Sequence, residues 1–350
     1  MGYLVALLVL SGLIFFHELG HYLAARLMGV SVEVFSIGFG KKLFSFYKFH
    51  TQWSISAIPL GGYVRMKGQD DSDPSKKSYD PDSYTTKTPL QRIFILAAGP
   101  LANFVVAFFL YFAIGLGSPN ELSAVIGTVV KDSPAQKAGL KPNDTIVSIN
   151  GVTISSWNNM AKIIAASNGE LDVVVKREGF LEHKYITPKL QETKNMFNEV
   201  VQRKMIGISA AGVTHKKELS LIESLVYAKD QTVAASTIIF KGLQKLLVGD
   251  VPAKEVGGVV SIVKVTSDAT AVGWMSVLFL AGLISVNLGI LNLLPIPALD
   301  GGHIMFNLYE LIMRREVNEA IMIKLTMAGW GILLSLMLLG LYNDIQRLLQ

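Results

Sequence analysis

The chain starts with an apolar run from residue 1 to residue 16 that contains no charged side chain. The run continues through His17-Glu18-Leu19-Gly20-His21 and a further apolar stretch, and the first basic residue is Arg26. A stretch of this length and composition predicts a membrane-spanning helix. It lacks the basic start and the small-residue cleavage site of a signal peptide, so we expect it to remain as a membrane helix.

Residues 17–21 form the pattern H-E-x-x-H inside this predicted helix. Side chains four residues apart lie on one helical face, so the imidazoles of His17 and His21 can both reach one ion. Zn²⁺ binds neutral imidazole and, in catalytic sites, keeps one position for water, beside which Glu18 can accept a proton. Ionisable residues within a membrane helix are costly and mark functional sites. The sequence therefore predicts a zinc site on the first membrane helix.

Composition narrows the class of protein. Of the 350 residues, 51% are hydrophobic and 17% are charged, whereas soluble domains carry about a quarter charged residues. This balance predicts an integral membrane protein with a substantial soluble part. The absence of cysteine excludes disulfides, thiolate metal sites and cysteine-based catalysis. The net charge of +5 comes from scattered basic residues without an aromatic-interleaved stripe, so we expect no nucleic-acid partner.

A third metal ligand is expected near the end of another apolar segment. Pro295 and Pro297 cannot continue a helix, so the backbone opens just before Asp300. A carboxylate at the end of an apolar segment needs a cation or a cavity, and the third zinc ligand after two histidines is often a carboxylate. Asp300 is therefore the predicted third ligand. Glu310 is the alternative, although its charged surroundings are more typical of a solvated residue, and for His303 a structural or supporting role is favoured over ligation.

Apolar runs and polar stretches divide the chain into segments. Alternating apolar residues and glycines between residues 30 and 66 predict strands, and the periodicity of residues 219–247 predicts an amphipathic helix. That helix is expected either to lie along the membrane surface or to pack on the soluble module. The predicted segments are a first transmembrane helix at 1–27, a strand-containing loop at 28–91, a second transmembrane helix at 92–117, a compact α/β module at 121–190, a region with an amphipathic helix at 191–272, a third transmembrane helix at 273–303, a connector helix at 304–325 and a fourth transmembrane helix at 326–345.

The α/β module carries two ordered motifs. They are S-P-A-x-x-A-G-L at residues 133–140 and D-x-I-x-x-I-N-G at residues 144–151, and together they resemble a PDZ domain of the bacterial protease-associated type. PDZ domains add peptides to a sheet edge. The resemblance implies a groove between the strand at 126–130 and the helix at 157–166. Two roles stay open for this groove, binding of a peptide ligand or simple steric filtering.

The membrane motifs resemble those of a known family. H-E-L-G-H at residues 17–21 and N-L-L-P-I-P-A-L-D-G at residues 292–301 are similar to the motif pair of the site-2 protease family of intramembrane zinc metalloproteases. Residues 99–103, G-P-L-A-N, resemble that family's G-x-x-x-N element, although by themselves they predict close helix packing. Residues 59–64 resemble its membrane-associated strand. The whole chain is similar to the bacterial RseP-like group (regulator of sigma-E protease), with one recognisable PDZ domain where the best-known members carry two.

The resemblance implies a fold and a metal centre. The fold is a multi-pass α-helical membrane protein with about four transmembrane helices, a membrane-associated β-hairpin region and an inserted α/β PDZ domain. One Zn²⁺ per chain is bound by His17, His21 and Asp300, and Glu18 is the general base. The expected location is the bacterial inner membrane, with the PDZ domain extracytoplasmic and the zinc site towards the cytoplasmic side. Basic residues next to the spans agree with that orientation.

The resemblance also implies how substrate is held. Asn292 and Asn287 contact the substrate backbone or oxyanion, and Gly61, Gly62 and Tyr63 lie along the strand that receives the unwound substrate. The expected partners are the lipid bilayer, single-pass membrane proteins such as anti-sigma factors, leftover signal peptides and a peptide in the PDZ groove. The implied activity is that of an intramembrane zinc metalloendopeptidase in regulated proteolysis.

Two other classes of protein have distinct requirements. A non-catalytic membrane PDZ scaffold with a structural zinc needs a closed fourth coordination position, for which His303 is the one evident donor. An ion transporter needs broken helices in matching halves of the chain, and the break at Pro295 and Pro297 has no clear counterpart in the first half.

Overall fold

The computed structural model describes residues 2–69, 78–195 and 199–349. The chain divides into two compact units. The first contains residues 1–115 and 221–350, and the second contains residues 116–220. Part of the loop predicted at 28–91, residues 70–77, lies outside the described residues.

Helices dominate the first unit. Their bounds, with those of the two short helices of the second unit, are α1 (Gly2–Leu27), α2 (Pro89–Leu116), α3 (Pro134–Lys137), α4 (Trp157–Ala166), α5 (Leu221–Val248), α6 (Val259–Val272), α7 (Trp274–Asn292), α8 (Asp300–Met313) and α9 (Glu319–Leu349). Helices α1, α2, α7 and α9 are long and apolar enough to cross a membrane, which confirms the prediction of four spans. Helix α9 begins before the predicted residue 326 because hydropathy marks only the apolar part of a helix.

The third span differs from its predicted bounds of 273–303. Helix α7 ends at Asn292, and α8 begins at Asp300. Between them the chain contains Pro295 and Pro297, whose missing N–H groups cannot continue the helical hydrogen-bonding pattern. The predicted metal ligand therefore lies at the first position of a new helix, and the predicted connector helix at 304–325 is replaced by α8 followed by the first turns of α9.

The region predicted at 191–272 contains two helices in the first unit. Helix α5 packs its small residues against α2 and α7, where Ala228 and Val286 share one apolar cluster. This packing onto two membrane spans was not among the expected placements of α5. Helix α6 was not predicted, since two glycines precede its apolar run. Its first turn is capped from α9, because the Asp344 carboxylate accepts hydrogen bonds from the N–H groups of Gly258 and Ser261, both at 3.0 Å.

Two long strands form a small sheet beside α1. They are β1 (Val32–Lys48) and β2 (Thr51–Met66), which pair as an antiparallel hairpin. The segment 34–37 of β1 is paired on both sides, with residues 62–65 and with residues 52–55. Residues 62–66 consequently form an edge of the sheet. Aromatic rings fix the sheet to α1. Trp53 of β2 lies 4.5 Å from Phe35 of β1 and 5.0 Å from Tyr22 of α1, measured between ring centroids.

The second unit consists of short strands around an apolar core. Its strands are β3 (Asn120–Leu122), β4 (Ile126–Val129), β5 (Thr145–Ile149), β6 (Val152–Thr153), β7 (Leu171–Arg177), β8 (Phe180–Ile186), β9 (Lys189–Lys194), β10 (Val200–Met205), β11 (Ile208–Ala210) and β12 (Thr214–Lys216). Four of them form the sheet β6-β5-β7-β8, and β12 returns to pair with β3. The unit therefore extends beyond the predicted boundary at residue 190, because its last strands close it against its first.

The strand beside the expected groove at 126–130 has a neighbour that the sequence did not predict. Strand β4 has a paired strand on one edge and backbone bonds at its first residue on the other. On one edge it pairs with β11, and on the other Ile126 N–H donates to the Asp144 carbonyl oxygen at 2.9 Å. An added peptide strand would therefore have to use the edge of β4 that faces away from β11, beyond Ile126. Sequence reasoning missed β11 because it lies about eighty residues after β4 in the sequence, so the pairing has no local signal.

One ion pair is built into the core of the second unit. The carboxylate of Asp144 is 1% exposed and accepts two hydrogen bonds of 2.7 Å from Arg177 and one of 2.8 Å from the Lys141 N–H. Burial by itself raises the pKa of Asp144, but the hydrogen bonds from Arg177 and Lys141 outweigh it and hold the pKa below its ordinary value. The pair ties the end of β7 to the turn that precedes β5.

Candidate metal centre

Three potential metal ligands meet at the junction of α1 and α8. His17 and His21 lie one turn apart on α1, and their Nε2 atoms are 3.2 Å apart. The Asp300 Oδ2 atom lies 3.4 Å from each of these nitrogens. The helical spacing of the two histidines and the start of α8 at Asp300 thus bring three donors from distant parts of the sequence into one small triangle.

The triangle has the dimensions of a zinc site. Zinc holds nitrogen and oxygen ligands at about 2.0–2.1 Å in tetrahedral geometry, which separates neighbouring ligand atoms by about 3.3–3.4 Å. The three distances between donor atoms, 3.2, 3.4 and 3.4 Å, match that separation. Two imidazoles and one carboxylate are also a donor set that suits zinc, and three protein ligands leave one position of a tetrahedron for a water.

His21 is fixed by helix α2. Its Nδ1–H donates a hydrogen bond of 2.9 Å to the carbonyl oxygen of Ile95, which leaves the lone pair on Nε2 for a metal. The ring lies directly against Gly99, where an added Cβ would lie 2.2 Å from Nε2. The helices can approach this closely because Gly20 of α1 faces the Ala98 carbonyl oxygen, which an added Cβ would meet at 2.3 Å. Gly99 and Gly20 therefore provide the space that the His21 ring occupies between α1 and α2.

His17 is supported by the same helix. The side-chain amide of Asn103 is fully buried and lies against the ring, with 3.1 Å between Asn103 Nδ2 and His17 Nδ1. A half-turn of this amide presents its oxygen to the same atom, where it can accept the Nδ1–H and leave the His17 Nε2 lone pair for a metal. Ser285 on α7 braces the position by donating a hydrogen bond of 2.8 Å to the Asn103 carbonyl oxygen. Sequence reasoning predicted helix packing for Asn103 and missed this contact, although the family's G-x-x-x-N element was the available signal.

Asp300 is positioned by a close turn between α7 and α8. An added Cβ on Gly301 would lie 2.3 Å from the Leu294 carbonyl oxygen, and one on Gly302 would lie 2.2 Å from the Ile296 carbonyl oxygen. No side chain fits at either residue, so the first turn of α8 packs directly on the backbone of the preceding loop. This backbone contact fixes the direction in which the helix presents Asp300.

Glu18 lies beside the three donors in a cavity of about 900 Å³. Its side chain is 9% exposed, and Gly62 of β2 packs against it so closely that an added Cβ would lie 3.0 Å from Glu18 Cγ. One wall of the cavity is the strand edge formed by residues 62–66. The rest of the lining includes apolar side chains from β1, α2 and α9, namely Phe39, Leu96, Ile323, Met327 and Trp330.

The predicted substrate-binding residues divide into two groups. Gly62, Tyr63 and Asn292 line the cavity together with Glu18. Gly61 does not line it but contacts Phe39, whose ring an added Cβ would meet at 2.1 Å and which stacks on Tyr63. Asn287 lies on α7 and is half-buried, away from the described lining of the cavity.

The two alternative ligands lie elsewhere. The Glu310 carboxylate accepts a hydrogen bond of 2.6 Å from Arg92 Nη2, and both side chains are half-buried, so Glu310 is an ion-pair partner between α2 and α8 and not the solvated residue that its surroundings predicted. His303 lines the cavity but does not belong to the cluster of three donors. In the described part of the chain, no fourth donor closes the site.

Comparisons with known proteins agree with this geometry. Residues 5–336 match the family model described as peptidase family M50. A candidate zinc metalloprotease of Campylobacter jejuni is 46% identical over 99% of this chain and 94% of its own length. A candidate zinc metalloprotease of Helicobacter pylori is 41% identical over 99% of this chain and all of its own length. The metalloprotease MmpA of Caulobacter vibrioides is 34% identical, again over 99% of this chain and 97% of its own length. The chain therefore belongs to peptidase family M50, the site-2 protease family, and is a zinc metalloprotease of the membrane.

Proposed function

We propose that this chain is an intramembrane protease that cleaves the transmembrane segments of single-pass membrane proteins. The observation that carries the proposal is the common location of three features in one cavity. They are the donor triangle of His17, His21 and Asp300, the carboxylate of Glu18, and the strand edge at 62–66. This cavity belongs to a unit that also holds the four candidate membrane spans.

His17, His21 and Asp300 are the proposed zinc ligands. When bound there, zinc supplies a Lewis acid for the scissile carbonyl and lowers the pKa of water towards about 7. Glu18 is the proposed general base, since it lies on the same helix as the histidines and faces the same cavity. It takes a proton from the attacking water and delivers it to the leaving amine nitrogen.

The strand edge at 62–66 is proposed to hold the substrate in an extended form. A peptide bond within a membrane helix is shielded by helical hydrogen bonding, and unwinding it in an apolar environment leaves polar groups without partners. Residues 62–65 use one edge to pair with β1, and no strand of residues 2–69, 78–195 or 199–349 pairs with the other edge. Strand addition supplies the missing hydrogen bonds. Asn292 is the proposed side-chain contact to the same backbone, with Asn287 as a more distant candidate.

The unit at 116–220 is proposed to be the PDZ domain of an RseP-like protein. Its two sequence motifs at 133–140 and 144–151, its helix α4 and its small sheets support the assignment. The proposed peptide groove lies between strand β4 and helix α4, on the edge of β4 that does not pair with β11. The alternative role for this unit is to exclude bulky domains, so that substrates are cut only after an earlier protease has trimmed them.

The proposed location is the bacterial inner membrane, with the zinc site towards the cytoplasm and residues 116–220 on the opposite side. Basic residues near the ends of spans support this orientation, because short loops rich in lysine and arginine stay in the cytoplasm. These residues are Arg26, Lys41, Lys42, Arg314 and Arg315. The proposed substrates are anti-sigma-factor-like proteins and remnant signal peptides. A non-catalytic scaffold is disfavoured, because a structural zinc takes four protein ligands and the cluster found among the described residues supplies three.

Cleavage of a tagged single-pass reporter in lipid vesicles tests the proposal. Wild type is compared with Glu18→Gln, with His17→Ala and with wild type that has been treated with a zinc chelator. We expect cleavage by untreated wild type alone, zinc retained by Glu18→Gln, and zinc lost from His17→Ala. Glu170→Gln, which makes the same change at an exposed residue of the other unit, is the matched control and should cleave normally. Cleavage by purified Glu18→Gln at the wild-type rate would refute the assignment.

A further inference from the structure

His303 is an imidazole in the cavity that the proposed zinc chemistry does not use. It follows Asp300 by three residues on α8, so both side chains lie on the same helical face, and both line the cavity. It is nevertheless outside the cluster of three donors. His303 therefore lines the same cavity as the donor triangle without being one of the three clustered donors.

Close packing fixes the turn of α8 that carries Asp300 and His303. Gly302 packs on the Ile296 carbonyl oxygen and fixes the turn that carries both residues. The ring of His303 contacts the buried ring of Phe306 in an edge-to-face arrangement, at 6.0 Å between centroids and 82° between planes. Asn307 donates a hydrogen bond of 2.8 Å to the His303 carbonyl oxygen. A side chain on a rigid helix turn, braced by packing, is suited to a preorganised site.

We propose that His303 is a further catalytic residue, whose ring N–H donates a hydrogen bond to the carbonyl oxygen of the scissile peptide as negative charge develops on it. The inference rests on the proposed function, since it places the scissile bond between Glu18 and His303. Neutral imidazole carries one N–H donor, so no proton needs to leave the ring. Water supplies the oxygen that attacks the carbonyl carbon, Glu18 carries the water proton to the amine nitrogen as the C–N bond breaks, and His303 keeps its own proton. A donor aimed at the developing charge stabilises the transition state more than the ground state.

The test compares His303→Phe, which removes the donor and keeps a ring, with His303→Gln, which keeps an N–H donor. Three quantities are measured on the full-length protein in detergent. They are kinetics on a short apolar peptide, the affinity for the same peptide with a phosphinate in place of the scissile amide, and the zinc content. We expect His303→Phe to lower kcat about 100- to 1000-fold with little change in KM, to weaken phosphinate binding at least tenfold, and to keep one zinc per chain. His303→Gln should recover most of the phosphinate affinity.

Several outcomes would overturn the proposal. They are loss of zinc from His303→Phe, a rise in KM with kcat unchanged, unchanged phosphinate affinity in His303→Phe, or equal losses in both variants. His183→Phe makes the same substitution at an exposed histidine of the other unit and should match wild type. The soluble peptide separates this test from the proposed membrane substrates, because wild type can cleave the peptide even where a membrane reporter stays intact. Wild type that binds the phosphinate but cleaves neither substrate would count against the proposed function and leave the affinity comparison valid.

Discussion

Replacing Gly99 with alanine should remove zinc without touching a ligand. A Cβ on residue 99 would lie 2.2 Å from His21 Nε2 and 2.5 Å from Cε1, whereas ordinary contact begins at 3.4 Å. Relief of the clash requires the two groups to move about 1.2 Å further apart. A small separation of α1 from α2 cannot supply this movement, because the hydrogen bond of 2.9 Å from His21 Nδ1 to Ile95 holds the ring against α2, the helix that also carries Gly99. The imidazole must therefore swing out of the donor triangle.

The size of the effect follows from the tolerance of zinc coordination. Ligand distances in zinc sites hold to within about 0.2 Å, so a displacement of about 1.2 Å removes His21 from the coordination sphere. Disturbing a residue that merely supports a ligand costs about 10–100-fold in metal affinity. Loss of the ligand itself should exceed this range, so we expect Gly99→Ala to weaken zinc binding more than 100-fold, or more than about 2.7 kcal/mol. Zinc per chain is measured by mass spectrometry after dialysis against graded zinc buffers.

Two glycine variants separate this effect from simple destabilisation. Gly282→Ala would place a Cβ 2.8 Å from the Tyr111 ring, so it should lower the thermal midpoint through overpacking that costs about 1–3 kcal/mol, with normal zinc affinity. Gly12→Ala, on α1 itself, meets nothing within 4 Å and should change neither quantity. Wild-type zinc affinity in folded Gly99→Ala would show that the close contact does not position His21, and the reasoning would fail.

Three further predictions follow from contacts within the two units. Asn103→Ala should weaken zinc binding about 10–100-fold, and Asn103→Asp, which keeps an acceptor for His17 Nδ1–H, should weaken it less in the same zinc buffers. Glu310→Gln should destabilise the membrane unit by about 1.5–3 kcal/mol in thermal unfolding, and the exchanged pair Arg92→Glu with Glu310→Arg should recover part of the loss. Asp144→Asn should cost about 1.5–3 kcal/mol at pH 7 in hydrogen exchange of residues 116–220, because it removes the buried carboxylate that accepts two hydrogen bonds from Arg177 and leaves Glu182 as the remaining partner. Since the folded pKa of Asp144 is lowered, wild type should keep this contribution above about pH 4 and lose it as the pH falls through the folded pKa, whereas the variant should show no such loss.

The residues that cluster at the candidate site were predictable because they belong to short sequence patterns. Helical periodicity alone places His17 and His21 on one face, and the two prolines before Asp300 mark the point where the helix must end. The apolar runs predicted four spans for the same reason, since each is a property of consecutive residues. The ends of those spans were less predictable, as α9 shows, because helices continue beyond their apolar part.

The tertiary partners had no local signal. The β1 segment that pairs on both sides, the β11 strand that covers β4 and the contact of Asn103 with His17 all join residues that are distant in the sequence. Glu310 shows the same limit for a charged residue. Its charged neighbours in the sequence predicted a solvated side chain, but in the structure it is half-buried and pairs with Arg92 of another helix. Charge patterns describe the surroundings along the chain, whereas burial and pairing depend on which helices meet.

Glycine explains why the support of the metal centre is harder to predict than its ligands. Membrane helices gain little from burying apolar surface against each other, so their association depends on close packing. At Gly20, Gly62, Gly99 and Gly302, an added Cβ would come within 3.0 Å of a neighbouring atom, and each of these residues lies next to a proposed ligand, to Glu18 or to the helix turn that carries Asp300 and His303. A metal ligand can be predicted from its own side chain. These glycines matter because they have no Cβ, and the need for the space that a Cβ would fill depends on which segment packs against them. The same argument predicts that alanine at any of the four positions perturbs the centre more than alanine at Gly331, which has nothing within 4 Å.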